Sequence, residues 1–176
     1  HHLTLTDDLV AGHWWSATAS LPPYDASTKV NPPLRTADDA GALLAGLKEG
    51  AIDCVATDHA PHAATDKHCE YALASFGISN LETALGSLLS LVHAGHLELA
   101  DAVATLTNRP AAVFNLPGGT LSPDAPADVT LFDPEREWCV DPQQLRSKGK
   151  NTPLGGHFLR GQVVLTIVGG EVVHEL

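Results

Sequence analysis

An amphipathic helix followed at once by an apolar strand constrains the fold more than any other feature of this sequence. The stretch TADDAGALLAGLKEG, residues 36–50, has a Thr cap with Asp39 three residues later, leucines at helical spacing and a terminal Gly. The residues that follow, AIDCVAT, form a β-branched apolar run of strand length that ends at Asp58. Because almost no loop separates the helix from the strand, the pattern predicts a parallel α/β sheet or barrel.

Further helices and then short strands are predicted along the rest of the chain. Caps and apolar spacing indicate three more helices, over residues 80–93 with Asn80 as the cap, 97–105 and 110–115. After Pro117 short apolar runs alternate with Asp, Pro and Gly, which predicts strands at 128–132, 163–168 and 171–174. We expect strand-helix units of a barrel in residues 1–118 and a small β module in residues 119–176.

Length and composition limit the class of protein. With 176 residues and 44% hydrophobic content, the chain can bury the core of one domain, with or without a small second one. No apolar run reaches the roughly 18 residues of a membrane span, and the net charge of −11 argues against a nucleic-acid surface. Cys54, Cys69 and Cys139 form no C-x-x-C pair, which favours a reducing cytoplasm over a disulfide framework.

The chain is too short to close a barrel of eight strand-helix units, which takes about 250 residues. It has no Met, and its first residues, His1 to Thr4, are interpreted as running into a strand, so we expect it to begin within the fold. Residues 63–75 are polar and lack periodicity, which predicts a mobile loop.

The run Thr57-Asp58-His59-Ala60-Pro61-His62 is the sharpest candidate site. It follows the predicted strand, and in a strand-helix barrel the C-terminal ends of the strands face the active site. There Asp58 could bind a metal and exchange a proton with water, and His62 could offer a donor to an anionic or carbonyl group. The same spacing suits a carboxylate that caps a turn and histidines that hydrogen-bond the loop, so both interpretations stay open.

A second candidate is the extended segment Lys29-Val30-Asn31-Pro32-Pro33-Leu34-Arg35, whose two prolines precede the capped helix. If it also ends a barrel strand, Asn31 faces the same opening as Asp58. An amide side chain both donates and accepts, which suits a cyclic amide with paired N–H and C=O groups. The alternative is a rigid loop with Arg35 in a surface ion pair.

Taken in order, these motifs resemble the bacterial type I dihydroorotases. The resemblance rests on KVNPPLR, IDCVATDHAPH and SFGISNLETAL, and continues through LTNRPAAVFNL, ADVTLFDP and SKGKNTPLGGHFLRGQVVLTIVGGEVV, so it covers nearly the whole chain. The segment of residues 11–27, with Trp14 and Trp15, looks longer than the family pattern.

The resemblance implies an α/β fold, the C-terminal part of a metal-dependent TIM-type (β/α)8 barrel plus a small β-sandwich. It implies that Asp58 binds the metal centre and acts as the acid/base group, and that substrate contacts come from Asn31, His62, Phe76 and Gly77. The implied cofactor is zinc, as one or two ions per intact site. The family's other metal ligands are expected upstream of this chain, while His1 and His2 are interpreted as structural and His59 stays ambiguous.

The implied activity is the reversible hydrolysis of dihydroorotate to N-carbamoyl-aspartate in pyrimidine biosynthesis. Two alternatives stay open, another cyclic amidohydrolase such as an allantoinase or dihydropyrimidinase, and a non-catalytic dihydroorotase-like subunit that scaffolds aspartate carbamoyltransferase. The expected partners are the N-terminal part of the barrel and either a second copy or aspartate carbamoyltransferase, with no nucleic acid and no membrane. The chain alone is expected to be inactive, with the apolar faces of helices 36–50 and 80–93 exposed.

Overall fold

A computed structural model describes residues 1–13 and 21–176 of the chain. The α-helices are α1 (Asp7–Val10), α2 (Ala37–Glu49), α3 (Ala64–Lys67), α4 (Ala84–His93), α5 (Leu99–Leu106) and α6 (Asn108–Phe114), and the strands are β1 (Val129–Cys139), β2 (Phe158–Val168) and β3 (Glu171–Glu175). Two short 3-10 helices span Ala26–Thr28 and Pro142–Gln144. Of the insertion-like segment 11–27, residues 14–20 with Trp14 and Trp15 lie outside the described residues.

Helix α2 confirms the helix predicted from its caps. The Thr36 side chain accepts a hydrogen bond from the backbone N–H of Asp39 at 3.2 Å, and Gly50 ends the helix in the left-handed conformation with φ of 79°. Leu47 is the buried residue of α2, whereas Leu43 is 37% exposed. Ala40 and Leu44 are half-buried, so the predicted apolar face is only partly covered by the described residues.

The strand predicted over residues 51–57 is not formed. This segment is extended, but a single isolated parallel bridge, between His59 and Ile78, follows it. The backbone N–H of Val55 donates instead to the carbonyl of Thr105 at 3.1 Å. A strand exists only through its pairing, and no neighbouring strand in the described residues lies beside this one.

The strand expected at the first residues is also wrong. The backbone N–H groups of Thr4 and Leu5 both donate to the carbonyl of His1, at 3.1 and 2.8 Å, which closes a turn before α1. Leu5 and Leu9 are buried in the core, so these apolar residues serve packing rather than a sheet.

Helix α4 begins four residues later than the predicted cap. Its N-cap is Thr83, and no side chain caps it; the Asn80 side chain donates instead to the carbonyl of Thr57 at 3.0 Å. The expectation of an exposed apolar face on this helix is wrong as well. Leu88 packs with Leu97 and Ala102 in one core cluster.

The predicted β module is confirmed in its three strands. They form one antiparallel sheet in the order β1-β2-β3, and each strand is longer than its predicted apolar run. Helix α4 covers part of the sheet because Gly86 and Gly161 leave room for close contact. A Cβ on Gly161 would lie 2.2 Å from the Leu89 side chain.

One hydrophobic cluster joins the N-terminal turn, the segment before α2 and the β module. Its buried members are Leu5, Leu9, Val30, Leu34, Ile78, Val140, Leu154 and Leu159. Val30 and Ile78 stand beside the candidate site segments, so this core fixes those segments against the C-terminal residues. None of the helices in the described residues has the length and apolar character that a membrane crossing requires.

The polar stretch of residues 63–75 contains a short helix and a buried lysine, while its mobility stays a prediction. It contains α3, and Lys67 at the end of that helix is only 6% exposed. The Lys67 ammonium donates to the carbonyls of Ser75 at 2.7 Å, Ala26 at 3.0 Å and Lys29 at 3.4 Å. A buried charge needs such partners. The bonds to Ala26 and Lys29 hold the stretch against the segment that leads to Asn31, and the bond to Ser75 closes the stretch on itself.

Candidate active site

Three segments with predicted site residues run side by side. The backbone N–H of Gly77 donates to the carbonyl of Lys29 at 2.9 Å, and that of Ala60 donates to the carbonyl of Ile78 at 2.9 Å. The segment from residue 76 to 78 therefore lies between the segment after Asp58 and the segment before Asn31. This arrangement brings together the segments that contain Ala60, Gly77 and Lys29.

His62 is held at both its backbone and its ring. Its backbone N–H donates to the Asn151 side-chain oxygen at 2.8 Å, and its Nε2 lies 2.8 Å from the carbonyl oxygen of Phe76. A carbonyl oxygen only accepts, so Nε2 carries the proton in this bond. The remaining ring nitrogen, Nδ1, is the one left to meet another group.

Gly77 has the backbone that this contact requires. Its φ is 134°, a conformation that side chains strongly disfavour. A Cβ at this position would lie 2.4 Å from the Ala60 Cβ and 3.2 Å from His62 Nε2. The absence of a side chain thus lets the chain pass directly beside His62. The structure brings together three of the predicted residues, namely His62, Phe76 and Gly77.

Asp58 is exposed and has a positive φ of 48°. Its carboxylate makes no hydrogen bond to another residue of the described ranges, and its negative charge acts on His2. Burial lowers the pKa of His2, and Asp58 partly offsets this by favouring the protonated ring. Asp58 therefore stands beside the N-terminal turn, with its oxygens available to a ligand.

His1, the first residue of that N-terminal turn, offers a second unused atom. His1 Nδ1 lies 3.2 Å from the Asn80 side-chain nitrogen, and the same nitrogen donates to the Thr57 carbonyl, directly before Asp58. Nε2 of His1 is buried without a hydrogen-bond partner among the described residues. A buried polar atom of this kind needs a partner, and an imidazole nitrogen is also a common metal ligand.

Asn31 lies two positions beyond Lys29, on the exposed side of the same segment. No described residue hydrogen-bonds its side chain, so its predicted convergence with Asp58 and His62 on one pocket stays a prediction. Arg35 forms the surface ion pair of the alternative interpretation, with Nε 3.1 Å from the Asp39 carboxylate. One cleft of about 630 Å³ lies between α4 and the sheet, and the predicted site residues do not line it.

Lys29 was not predicted as a site residue, yet it contacts the same loop. Its ammonium donates to the carbonyl of Ala72 at 2.8 Å and lies 4.5 Å from the centre of the Phe76 ring. Burial, more than the nearby Lys29, lowers the pKa of Lys67, the other lysine in this group. Lys29 is the first residue of the motif KVNPPLR, so the sequence marked its segment. Spacing alone could not predict that Lys29 is buried or that it bonds Ala72.

The ambiguity at His59 is resolved by its contacts. Its Nδ1 accepts hydrogen bonds from the backbone N–H groups of Asn80 at 3.0 Å and Leu81 at 3.1 Å, and its Nε2 lies 3.4 Å from the Ser147 hydroxyl. Both ring nitrogens are occupied by the protein. His59 therefore orders the turn before α4.

The described part of the chain does not contain a complete metal site. Within residues 1–13 and 21–176, no group of three or more His, Cys, Asp or Glu side chains is placed to hold an ion. A zinc site takes about three or four protein ligands. Asp58 and His1 could supply some of them, and the others would have to come from other residues.

Comparison with known proteins shows the family. The sequence matches the family described as "Amidohydrolase family" over residues 25–174, most of the chain. The chain belongs to this family. Its fold agrees with that assignment: it is similar to the L-hydantoinase (dihydropyrimidinase) from Arthrobacter aurescens with a TM-score of 0.85 and 32% identity, covering 99% of this chain and 38% of that one. A D-hydantoinase from Thermus sp. shares the fold, with a TM-score of 0.77 and 23% identity over 85% of this chain and 34% of that one.

Relatives with higher sequence identity are dihydroorotases. The chain is 48% identical over 176 residues to the dihydroorotase of Syntrophotalea carbinolica, covering 100% of this chain and 39% of that relative. It is 50% identical to the dihydroorotase of Pelotomaculum thermopropionicum, covering 99% of this chain and 39% of that relative. The chain thus spans about two fifths of the length of these relatives.

Proposed function

We propose that this chain provides the acid/base residue and part of the substrate site of a dihydroorotase. The observation that carries the proposal is the contact of His62, four residues after Asp58 in sequence, with Phe76 and Gly77, within a chain 43% to 50% identical to eight dihydroorotases. The reaction would be the reversible opening of the cyclic amide of dihydroorotate to N-carbamoyl-aspartate, a step of pyrimidine biosynthesis.

Asp58 is the proposed acid/base group. Its carboxylate is exposed and free of hydrogen bonds within the described ranges, so it can take the proton of the attacking water. In the direction of hydrolysis it would then give that proton to the departing ring nitrogen. In the direction of ring closure the same carboxylate would run the two transfers in reverse order.

The proposed cofactor is zinc, as one or two ions in the intact site. When bound, zinc would supply a Lewis acid for the amide carbonyl and lower the pKa of water. Asp58 and the Nε2 atom of His1 fit this group, because a carboxylate oxygen and a buried imidazole nitrogen without a partner are both zinc ligands. His1 would then be a ligand rather than the structural residue that its sequence context predicts.

Substrate binding is proposed for His62, Phe76, Gly77 and Asn31. Because Nε2 of His62 is already bonded to Phe76, a carboxylate of the substrate would meet Nδ1, which donates only when the ring carries both protons. The backbone at Gly77 has no side chain to keep a ring edge away. The Asn31 amide would hydrogen-bond the paired N–H and C=O groups of the ring.

The rest of the active site would come from residues outside this chain, in the N-terminal part of a barrel. Leu43 of α2, at 37% exposure, and the half-buried Leu44 are apolar side chains that such a neighbouring unit would cover. On this proposal, residues 1–118 belong to the barrel and residues 119–176 to a small β-sandwich. The isolated chain would be inactive even with added zinc.

A hydantoinase or dihydropyrimidinase activity is the second candidate, because a solved L-hydantoinase is 32% identical over 99% of this chain. The test measures kcat/KM of the full-length, zinc-loaded protein for dihydroorotate, hydantoin and dihydrouracil. We expect dihydroorotate to be preferred by at least about a hundredfold, since its carboxylate gains a charged contact that the other two rings lack. A preference for hydantoin or dihydrouracil would assign the second candidate. No turnover of any ring, together with binding to aspartate carbamoyltransferase, would indicate a scaffold subunit.

A further inference from the structure

The side chain of Asn151 joins the two loops that carry the proposed substrate contacts. Its oxygen accepts from the His62 backbone N–H at 2.8 Å and from the Ser79 hydroxyl at 2.9 Å. Its nitrogen donates to the carbonyls of Ala60 and Gly77, at 3.0 Å each. Asn151 is 9% exposed, so water does not compete for these four bonds.

Gly149 packs against the same loop from the other side. A Cβ on Gly149 would lie 2.6 Å from the His62 backbone nitrogen and 2.7 Å from the Pro61 Cβ. Its carbonyl oxygen lies 2.7 Å from the Ser79 hydroxyl, whose single proton is shared between this carbonyl and the Asn151 side-chain oxygen. Residues 149–151 therefore contact both the loop after Asp58 and the loop at Gly77.

The bonding pattern explains why an asparagine suits this position. Two donors of the loops face the amide oxygen and two acceptors face the amide nitrogen, so both ends of the side chain are fully used. An aspartate would keep the two accepted bonds but would set a charge against two carbonyl oxygens. A residue that made only packing contacts would not need a side chain with a donor at one end and an acceptor at the other.

We infer that Asn151 is a positioning residue for substrate binding, which sets the distance between His62 and Gly77 without touching the substrate. This inference rests on the proposed function for its kinetic part. A fixed backbone on both loops keeps Nε2 of His62 on the Phe76 carbonyl and thereby aims Nδ1. Small displacements of such contacts are costly because binding sites depend on geometry that is set in advance.

The test compares variants of the full-length protein. Asn151→Ala removes all four bonds, Asn151→Asp keeps the two accepted ones, and Gly149→Ala pushes on His62 without changing Asn151. Thr152→Ala is the matched control, because Thr152 is 7% exposed and its hydroxyl accepts only from the Leu154 backbone. KM and kcat for dihydroorotate are measured together with amide hydrogen exchange at His62. The reference is the amide of Val55, which donates to the carbonyl of Thr105 and has no bond to Asn151.

We expect Asn151→Ala and Gly149→Ala to raise KM about tenfold, the equivalent of one hydrogen bond, with a smaller change in kcat. Asn151→Asp should give an intermediate KM. Exchange at the His62 amide should speed up in Asn151→Ala, while Thr152→Ala should change neither quantity. In the double variant with His62→Ala, Asn151→Ala should add little to the rise in KM, because both changes remove the same contact.

Folded Asn151 and Gly149 variants with a KM within about twofold of the wild type, or effects that multiply with His62→Ala, would overturn the inference. If Asn151→Ala does not fold, Asn151→Asp and Gly149→Ala decide the matter. If the wild type does not turn over dihydroorotate, the proposed function fails. Exchange at His62 then decides separately whether Asn151 holds the loop, and an unchanged rate would reject that role.

Discussion

His62 Nε2 and the backbone carbonyl oxygen of Phe76 lie 2.8 Å apart, which fixes the imidazole ring to the loop at Gly77. The bond assigns the proton of the neutral ring to Nε2, and it leaves Nδ1 as the atom that can meet a ligand. Two loops separated by 14 positions in sequence thus form one surface. Changes to this contact, to its surroundings and to the nearby carboxylate should therefore have separable effects on stability, KM and kcat.

Gly77→Ala should destabilise the protein and weaken substrate binding. The new Cβ would sit 2.4 Å from the Ala60 Cβ on a backbone with φ of 134°, so both strain and overlap oppose it. We expect a loss of about 1–3 kcal/mol in unfolding free energy, measured by denaturant melts. KM should rise as well, since the added methyl group lies 3.2 Å from His62 Nε2.

Gly50→Ala separates strain from overlap. Gly50 also has a positive φ, of 79°, but a Cβ added there would meet nothing within 4 Å. It should lose about 1 kcal/mol of stability through backbone strain alone, with KM unchanged. Equal effects of the two variants on KM would show that the Gly77 contact has no special role in binding.

His62→Ala should raise KM strongly, by about tenfold or more, with a smaller effect on kcat, because it removes an interaction present in both the ground and transition states. Steady-state kinetics on dihydroorotate provides the measurement. The control is His68→Ala, since His68 is exposed in the neighbouring stretch and uses only its backbone in a hydrogen bond. A normal KM for His62→Ala would remove His62 from the binding site.

The pH dependence of stability should report on Lys67. Burial lowers the pKa of Lys67 below its ordinary value of 10.5, so in the window between the two values the unfolded chain binds more protons than the native one. Lys67 therefore adds stability as pH rises toward 10.5, and this contribution is lost as pH falls through the native pKa. The difference in unfolding free energy between wild type and Lys67→Met should grow in favour of wild type over that window, and a flat difference would contradict it.

Local signals predicted what local interactions determine. The Thr36 cap and the terminal Gly50 specify α2 through contacts within a few residues, and both are present. The strand over residues 51–57 depends on neighbours that the described residues do not provide, so its apolar sequence was not sufficient. Asn80 has the residue type of a cap, but its side chain bonds Thr57 instead.

In the candidate site, too, residues in local motifs were predicted and residues placed by tertiary contacts were not. His62, Phe76 and Gly77 stand in recognisable motifs and are found together. Asn151 lies in a motif of the resemblance but had no predicted role, and Lys67 carried no sequence signal. The bond between Asn151 and Ala60 spans 91 positions, and that between Lys67 and Ala26 spans 41. Such partners are set by tertiary packing, which neither spacing nor periodicity encodes.

Asp58 is proposed as the acid/base group of a cyclic amide hydrolase. The most direct measurement is the turnover of dihydroorotate by Asp58→Asn in the full-length protein, with zinc content and melting temperature determined on the same sample. Asp53→Asn is the control, because Asp53 is an exposed carboxylate in the same extended segment. We predict that Asp58→Asn lowers kcat by about a thousandfold or more while the fold persists, since an amide cannot transfer the proton. Near-normal kcat in folded, zinc-loaded Asp58→Asn would contradict the claim.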